Sequence, residues 1–154
     1  MKRALLLLGS LALLALVFTA CGRPTGVEPG HIALGEEVVL ANHLVPGKIT
    51  IFDFTSKYCG PCQAYTQPLA LLQAQRTDVA VVKVDINRPG VKGIDWQSPV
   101  ARQYKLQSIP QFKVYGPDGK LLAEDHLVYD TESNSMVGDK PARRMVDQWI
   151  AALK

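Results

Sequence analysis

Residues 49–62 read Ile49-Thr50-Ile51-Phe52-Asp53-Phe54-Thr55-Ser56-Lys57-Tyr58-Cys59-Gly60-Pro61-Cys62. The β-branched and aromatic run from Ile49 to Phe54 predicts a strand, Gly60 supplies a turn, and Pro61 suits the first turn of a helix. Two cysteines separated by two residues therefore stand one helical turn apart at a strand-to-helix junction, an arrangement suited to a reversible disulfide. From Pro61 to about Arg76 the spacing of Tyr65, Leu69 and Leu72 predicts the helix itself, with Pro68 as a kink inside it. Val79 to Val84 is an almost continuous β-branched run, the pattern of a strand buried on both faces. The three segments make a βαβ unit with the dithiol at its first junction.

Outward from that unit, Glu37 to Leu40 is expected as a short first strand and Asn42 to Val45 as a turn or short helix stopped by Pro46-Gly47. Arg88 to Gln97 is an irregular insertion containing Pro89-Gly90 and Gly93. Ser98 as N-cap and Pro99 then open a short helix through Lys105, with Val100 and Tyr104 on its buried face. Phe112 to Tyr115 and Leu121 to Val128 flank Gly116-Pro117-Asp118-Gly119, which predicts an antiparallel pair. Tyr129 to Gly138 reads as a polar loop. Asp139 is the expected cap of a last helix, with Pro141 in its first turn and Met145, Val146, Trp149, Ile150 and Leu153 along one face. The order β, β, α, β, α, β, β, α predicts a central mixed sheet covered on both sides, in one domain without internal repeats.

The first twenty residues differ in kind. Lys2 and Arg3 precede an uncharged run from Ala4 to Phe18, shorter than the roughly 20 residues a spanning helix needs, and this is the pattern of an export signal. Phe18-Thr19-Ala20-Cys21 resembles a bacterial lipobox, with small residues at the two positions before the cysteine and Phe18 where an aliphatic residue is usual. The resemblance implies cleavage before Cys21 and lipidation of its sulfur. The protein is thus expected in the bacterial cell envelope, lipid-anchored to a membrane and facing the periplasm or the exterior. Gly22 to Gly30, rich in Gly and Pro, reads as a tether reaching roughly 30 Å at about 3.3 Å per residue. The expected divisions are a lipoprotein signal peptide at 1–20, a lipid-anchored tether at 21–30 and one domain at 31–154.

With Cys21 assigned to the anchor, the other two of three cysteines form a single pair. A hydrophobic content of 47% with 20% charged residues suits a globular domain rather than a disordered chain. Loss of Lys2 and Arg3 with the signal leaves 15 basic against 14 acidic residues, without a basic block, so nucleic acid is not an expected partner. Cys-x-x-Cys is also half of a zinc site, but structural zinc takes four ligands. No second cysteine pair exists, and His31, His43 and His126 are scattered, so no metal is expected. As a redox pair, Cys59 at the helix start and the more exposed end is expected to attack a target disulfide. Helix-terminal N–H groups favour its thiolate, while the more shielded Cys62 resolves the mixed disulfide.

The stretch from Asp53 to Cys62 resembles the active-site region of the thioredoxin family, and the resemblance runs from about residue 35 to 154. It implies an α/β, thioredoxin-like fold, a central mixed β-sheet flanked by helices, and thiol-disulfide exchange that needs no cofactor. In that family an aspartate six residues before the first cysteine lies buried beneath the pair and assists proton transfer to the resolving thiol; Asp53 holds that position. Lys83, in Val-Val-Lys-Val-Asp, matches a lysine often found beside it. Ser108-Ile109-Pro110 matches the second signature, an X-Pro bond in the cis form that faces the cysteines. By this resemblance the backbone before Pro110, at Ile109, is presented to an extended target peptide, and Tyr58, Gly60 and Pro61 join Ile109 and Pro110 as expected substrate-binding residues.

Some positions depart from the family pattern. Tyr58 stands where tryptophan is usual, and Pro68 lies one residue later than the kinking proline. The 88–97 insertion and the segment Thr131 to Gly138 lengthen the pattern. Trp96 is either a partner contact or a tucked core residue. Gly60-Pro61 resembles the reducing members, so a monomer that reduces protein disulfide substrates is expected. A disulfide oxidase or isomerase of the same fold, and a non-catalytic binding module, are the alternatives. Cytosolic NADPH does not directly reach an exported protein, and the resemblance implies a transmembrane electron donor of the DsbD or CcdA type.

Overall fold

Five strands form one sheet: β1 (Gly30–Ile32), β2 (Ile49–Thr55), β3 (Val79–Asp85), β4 (Gln111–Tyr115) and β5 (Leu121–Glu124), in the order β1-β3-β2-β4-β5. The computed structural model describes residues 30–153, so the expected export signal, Cys21 and the tether as far as residue 29 lie outside the described residues. β3 runs parallel to both β1 and β2, whereas β4 is antiparallel to β2 and to β5, which makes the sheet mixed. The helices are α1 (Gly60–Gln75), α2 (Pro99–Gln103) and α3 (Pro141–Ala151).

Side chains alternate across a strand, and in β2 both sets are buried. Ile51 packs with Leu69 and Leu72 of α1 and Ala142 and Val146 of α3 on one face of the sheet. Phe52 and Phe54 pack with Val100 and Ala101 of α2, and with Val38 and Leu40, on the other. Sheet and helices thus bury a core on each face, and Asp53, two residues from Ile51, points into the face covered by α1 and α3. Phe52, Phe54 and Phe112 are all 0% exposed, and burying each contributes about 1.5–3 kcal/mol. The last helix places Val146 in the core with Met145, Trp149, Ile150 and Leu153 packed against it, as its spacing predicts.

Several expectations are corrected by where backbone groups find partners. Glu37 to Leu40 is not a strand. Val38 N–H donates to Gln103 Oε1 at 2.9 Å, and its carbonyl accepts from Gln103 Nε2 at 3.0 Å and from Tyr104 OH at 2.7 Å, so side chains around α2 take the place of a neighbouring strand. The first strand is Gly30–Ile32, which takes Gly30 out of the expected tether. Leu121 to Val128 breaks at Asp125, where the buried carboxylate turns inward and takes Phe112 N–H at 3.1 Å. Tyr129 to Gly138 is not a loop throughout: β6 (His126–Asp130) and β7 (Ser135–Asp139) form a separate antiparallel hairpin.

Asp139 is not the cap of α3. That position is Lys140, and Asp139 pairs with Arg144 instead, 2.5 Å from Nη1. The distant Asp125 accepts the first-turn N–H of Arg143 at 3.0 Å, doing the work expected of a local cap. α1 runs unbroken through Pro68.

One glycine holds the front of the domain together. Gly35 has φ +86°, its N–H donates to Asp85 O at 2.8 Å, and its carbonyl accepts from Val100 N–H at 3.3 Å. A Cβ there would lie 2.5 Å from Arg88 N. Gly35→Ala is expected to destabilise the domain by about 2–3 kcal/mol through combined backbone strain and clash, read as a lowered denaturation midpoint with an unchanged slope.

Candidate active site

Cys59 is the N-cap of α1, and Pro61 occupies the first turn as the sequence predicts. Cys59 and Cys62 are joined in a disulfide with their Cα atoms 5.2 Å apart. The N–H of Cys62 donates to Cys59 Sγ at 3.1 Å, so a helix-terminal amide already points at the sulfur that would carry charge as a thiolate. Exposure does not separate the two cysteines, contrary to expectation: Cys59 is 3% exposed and Cys62 2%. The chain folds back at Cys59, whose N–H donates to Ser56 O at 3.0 Å, and the loop before β4 covers its sulfur. What distinguishes Cys59 is the amide aimed at it.

The covering loop is Ser108-Ile109-Pro110, and the Ile109–Pro110 peptide is cis. Cys59 Sγ lies 3.6 Å from the Ile109 carbonyl oxygen. A disulfide sulfur has no proton to donate, so this is a close approach that becomes a hydrogen bond only when Cys59 is a thiol. On the other rim Tyr58, Gly60 and Pro61 are exposed, and Lys57 Nζ sits 5.1 Å from the centroid of the Tyr58 ring. Tyr58, Gly60 and Pro61 thus form an exposed edge beside the disulfide, whereas Ile109 is half-buried and Pro110 buried.

Behind that edge a chain of hydrogen bonds not foreseen from sequence ties the turn to the insertion. Ser56 Oγ accepts from Tyr58 N–H at 3.1 Å and donates to Asn87 Oδ1 at 2.5 Å, and Asn87 Nδ2 donates to Gly93 O at 2.6 Å. Arg88 and the buried Asp95 close the insertion with Nε–Oδ2 at 2.7 Å and Nη2–Oδ1 at 3.0 Å. Trp96 packs against the core cluster under α2, which favours the tucked role for it.

Asp53 is 1% exposed, and its Oδ1 is buried without a hydrogen-bond partner among the described residues. It is in register with Lys83 on β3 and with Phe112 on β4, and Lys83 is in turn opposite His31 on β1. Asp53 and Lys83 thus share the face of the sheet that α1 covers, as the family resemblance implies. Burial pushes the Asp53 carboxyl up to about 7, and the positive charges of Lys83 and then Arg143 pull the other way. Desolvation wins, leaving a carboxyl that exchanges its proton near neutral pH. A polar cavity of about 140 Å³, between His31, Ser56, Thr66 and Asp85, reaches Lys83.

Arg143 is the group that sequence reading missed. It lies in the first turn of α3, and its guanidinium Nη2 donates to the carbonyl of Pro110. Only its place beside Asp125, eighteen residues earlier and on another element, gives it that role, and no local pattern announces it. Among the described residues no cluster of three or more His, Cys, Asp or Glu is placed to hold a metal, and no helix is long and apolar enough to cross a membrane.

The family model described as Thioredoxin matches residues 41–138. A thioredoxin of Chlamydia caviae is 33% identical over 96 residues, which span 62% of this chain and 83% of that protein. An H-type thioredoxin of Fagopyrum esculentum is 34% identical over 68 residues, 44% of this chain and 52% of that protein. The chain thus spans about half the length of the latter relative. Among solved structures, Trichomonas vaginalis thioredoxin superimposes with a TM-score of 0.50 at 24% identity, covering 82% of this chain and 97% of that one, a likeness of fold.

Proposed function

The chain belongs to the thioredoxin family, and from that premise we propose that it reduces protein disulfides by dithiol-disulfide exchange through Cys59 and Cys62, at a bacterial membrane to which Cys21 anchors it. The observation that carries the chemistry is the cysteine pair at the N-terminus of α1, with Cys59 Sγ under the Ile109 carbonyl at 3.6 Å. The Cys59 thiolate attacks one sulfur of the target disulfide, forming a mixed disulfide and releasing the first target thiolate. Cys62 then attacks Cys59 Sγ, closing the Cys59–Cys62 disulfide and releasing the second target thiolate. Two electrons pass from the dithiol to the target, and both released thiolates take up protons.

Restoring the dithiol requires a two-electron donor. A transmembrane conduit of the DsbD or CcdA type fits a protein held outside the cytoplasm, and Lys2-Arg3, the apolar run after them and Phe18-Thr19-Ala20-Cys21 support that placement. Cells carrying Cys62→Ser are expected to accumulate mixed disulfides between Cys59 and both clients and donor, identified by mass spectrometry after alkylation. Labelling with a palmitate analogue is expected to mark the protein and to be lost in Cys21→Ser. Absence of any trapped partner, or undiminished labelling in Cys21→Ser, would overturn the corresponding half of the proposal.

A further inference from the structure

Arg143 is held at both ends. Its backbone N–H donates to Asp125 Oδ1 at 3.0 Å, while Asp125 Oδ2 accepts from Phe112 N–H at 3.1 Å and Asp125 N–H donates to Phe112 O at 3.0 Å. Phe112 is the β4 residue in register with Asp53. At the far end Nη2 donates to the carbonyl of Pro110, the residue after the Ile109 carbonyl that meets Cys59. The Nε between these ends is buried and has no partner among the described residues. A guanidinium stays charged at any working pH, so this is a permanent positive charge drawn under the site and only partly compensated there. The side chain as a whole is half-buried, but holding its Nε unpaired away from solvent costs desolvation that an apolar side chain of similar size would avoid, so stability alone does not account for such placement.

We propose that Arg143 is a positioning residue of the dithiol site: it fixes the Pro110 carbonyl, and with it the Ile109 backbone in front of Cys59, while presenting a permanent positive charge to Asp53. When Cys62 attacks Cys59 Sγ, its thiol proton passes to the Asp53 carboxylate and the electron pair so freed forms the new S–S bond, while the pair of the breaking Cys59–target bond leaves on the target sulfur as a thiolate that takes a proton from solvent. The groups facing Asp53 are Lys83 from β3 and Arg143 from α3, with the apolar Phe112 on β4 beside it. Arg143 itself is faced by Asp125, and by Tyr65 of α1, whose hydroxyl donates to Asp147 at 2.8 Å. Asp53 therefore feels the positive charge of two cations on different elements, of which only the lysine is on its own sheet.

The kinetic part of this inference rests on the exchange reaction proposed above, whereas its titration part does not. In the reduced protein, the Asp53 carboxyl followed by carbon-13 NMR is expected to titrate about one pH unit higher in Arg143→Gln, and near the unmodified position in Arg143→Lys. Insulin reduction at pH 7 should then slow about fivefold in Arg143→Gln, as the ionised fraction of Asp53 falls from about one half to about one tenth. In an Asp53→Asn background the same substitution should no longer shift the pH profile. Arg143→Met, which keeps the packing of the stem, substitutes for the glutamine variant if that one does not fold. An unmoved Asp53 midpoint in a folded neutral variant would overturn the inference, as would a pH-profile shift that persists without Asp53. Should the protein reduce no disulfide at all, the exchange reading fails while the NMR titration still decides the role of Arg143.

Discussion

Cys59→Ser is expected to lower disulfide reduction to the uncatalysed background, whereas Cys62→Ser is expected to complete one attack and stall as a mixed disulfide. The two cysteines are equally buried, yet they are not equivalent. The Cys62 N–H reaches Cys59 Sγ at 3.1 Å, and that sulfur caps α1, where amide dipoles stabilise a thiolate. A serine hydroxyl at that position does not ionise near neutral pH, so the first bond to the target does not form. In Cys62→Ser that bond forms, but its release by a neighbour held one helical turn away is lost. That release is the intramolecular step, favoured by high effective concentration. Single-turnover assays that quantify the mixed disulfide by mass should give one equivalent in Cys62→Ser and none in Cys59→Ser.

Asp53→Asn is expected to stabilise the fold at alkaline pH while slowing exchange. The buried carboxyl titrates at about 7, against about 4 in an unfolded chain, so the folded state binds the proton more tightly. Between those values the unfolded state carries fewer protons than the folded one. The slope of unfolding free energy with pH is then negative: stability is fullest below about pH 4 and falls as pH rises through about 7. The full span of about three pH units corresponds to about 4 kcal/mol, and an asparagine amide avoids it because it never charges. The pull of Lys83 is already part of that value, and the amide stands in for the protonated carboxyl, so the net gain at pH 8 is at most about 4 kcal/mol. Urea denaturation at pH 4 and pH 8 checks this: the advantage of Asp53→Asn should be present at pH 8 and nearly gone at pH 4. A constant offset between the two would contradict it. Because the same carboxyl accepts the Cys62 proton in the proposed exchange, the more stable variant should also be the slower reductant.

These expectations were legible in the sequence to different depths. β2, α1 and β3 follow from apolar runs and a Gly-Pro junction because their partners lie in the adjoining element, and local pattern is then a faithful guide. Gly30–Ile32 is too short to show a period and exists because β3 offers it an edge. Glu37 to Leu40 has strand composition, but Gln103 and Tyr104 take up the backbone of Val38 first. The β6–β7 hairpin hides from a periodicity reading because Leu127 is its one buried side chain, and the rest of both strands is exposed or half-buried, leaving no alternation to see. Its Gly138, at φ +126°, passes so close to His126 O that a Cβ would lie 1.9 Å from it.

The site divides in the same way. Cys59, Cys62 and the Ile109–Pro110 pair are readable from short motifs, and Asp53 and Lys83 from their place beside them. Asp125 and Arg143 act across long separations in the chain, through contacts that appear only when α3 folds onto β4. Asp139 looked like the better cap because caps are usually local, and it lost that place to a carboxylate already buried beside the helix start.

Cys59 and Cys62 are expected to pass two electrons to a protein disulfide. The most direct measurement mixes the fully reduced protein with excess insulin, without any other reductant, and follows both sides by mass. About one insulin disulfide is expected to be reduced per molecule of protein, with Cys59 and Cys62 recovered as an intramolecular disulfide. Insulin left intact beside a protein whose two thiols remain free would contradict it.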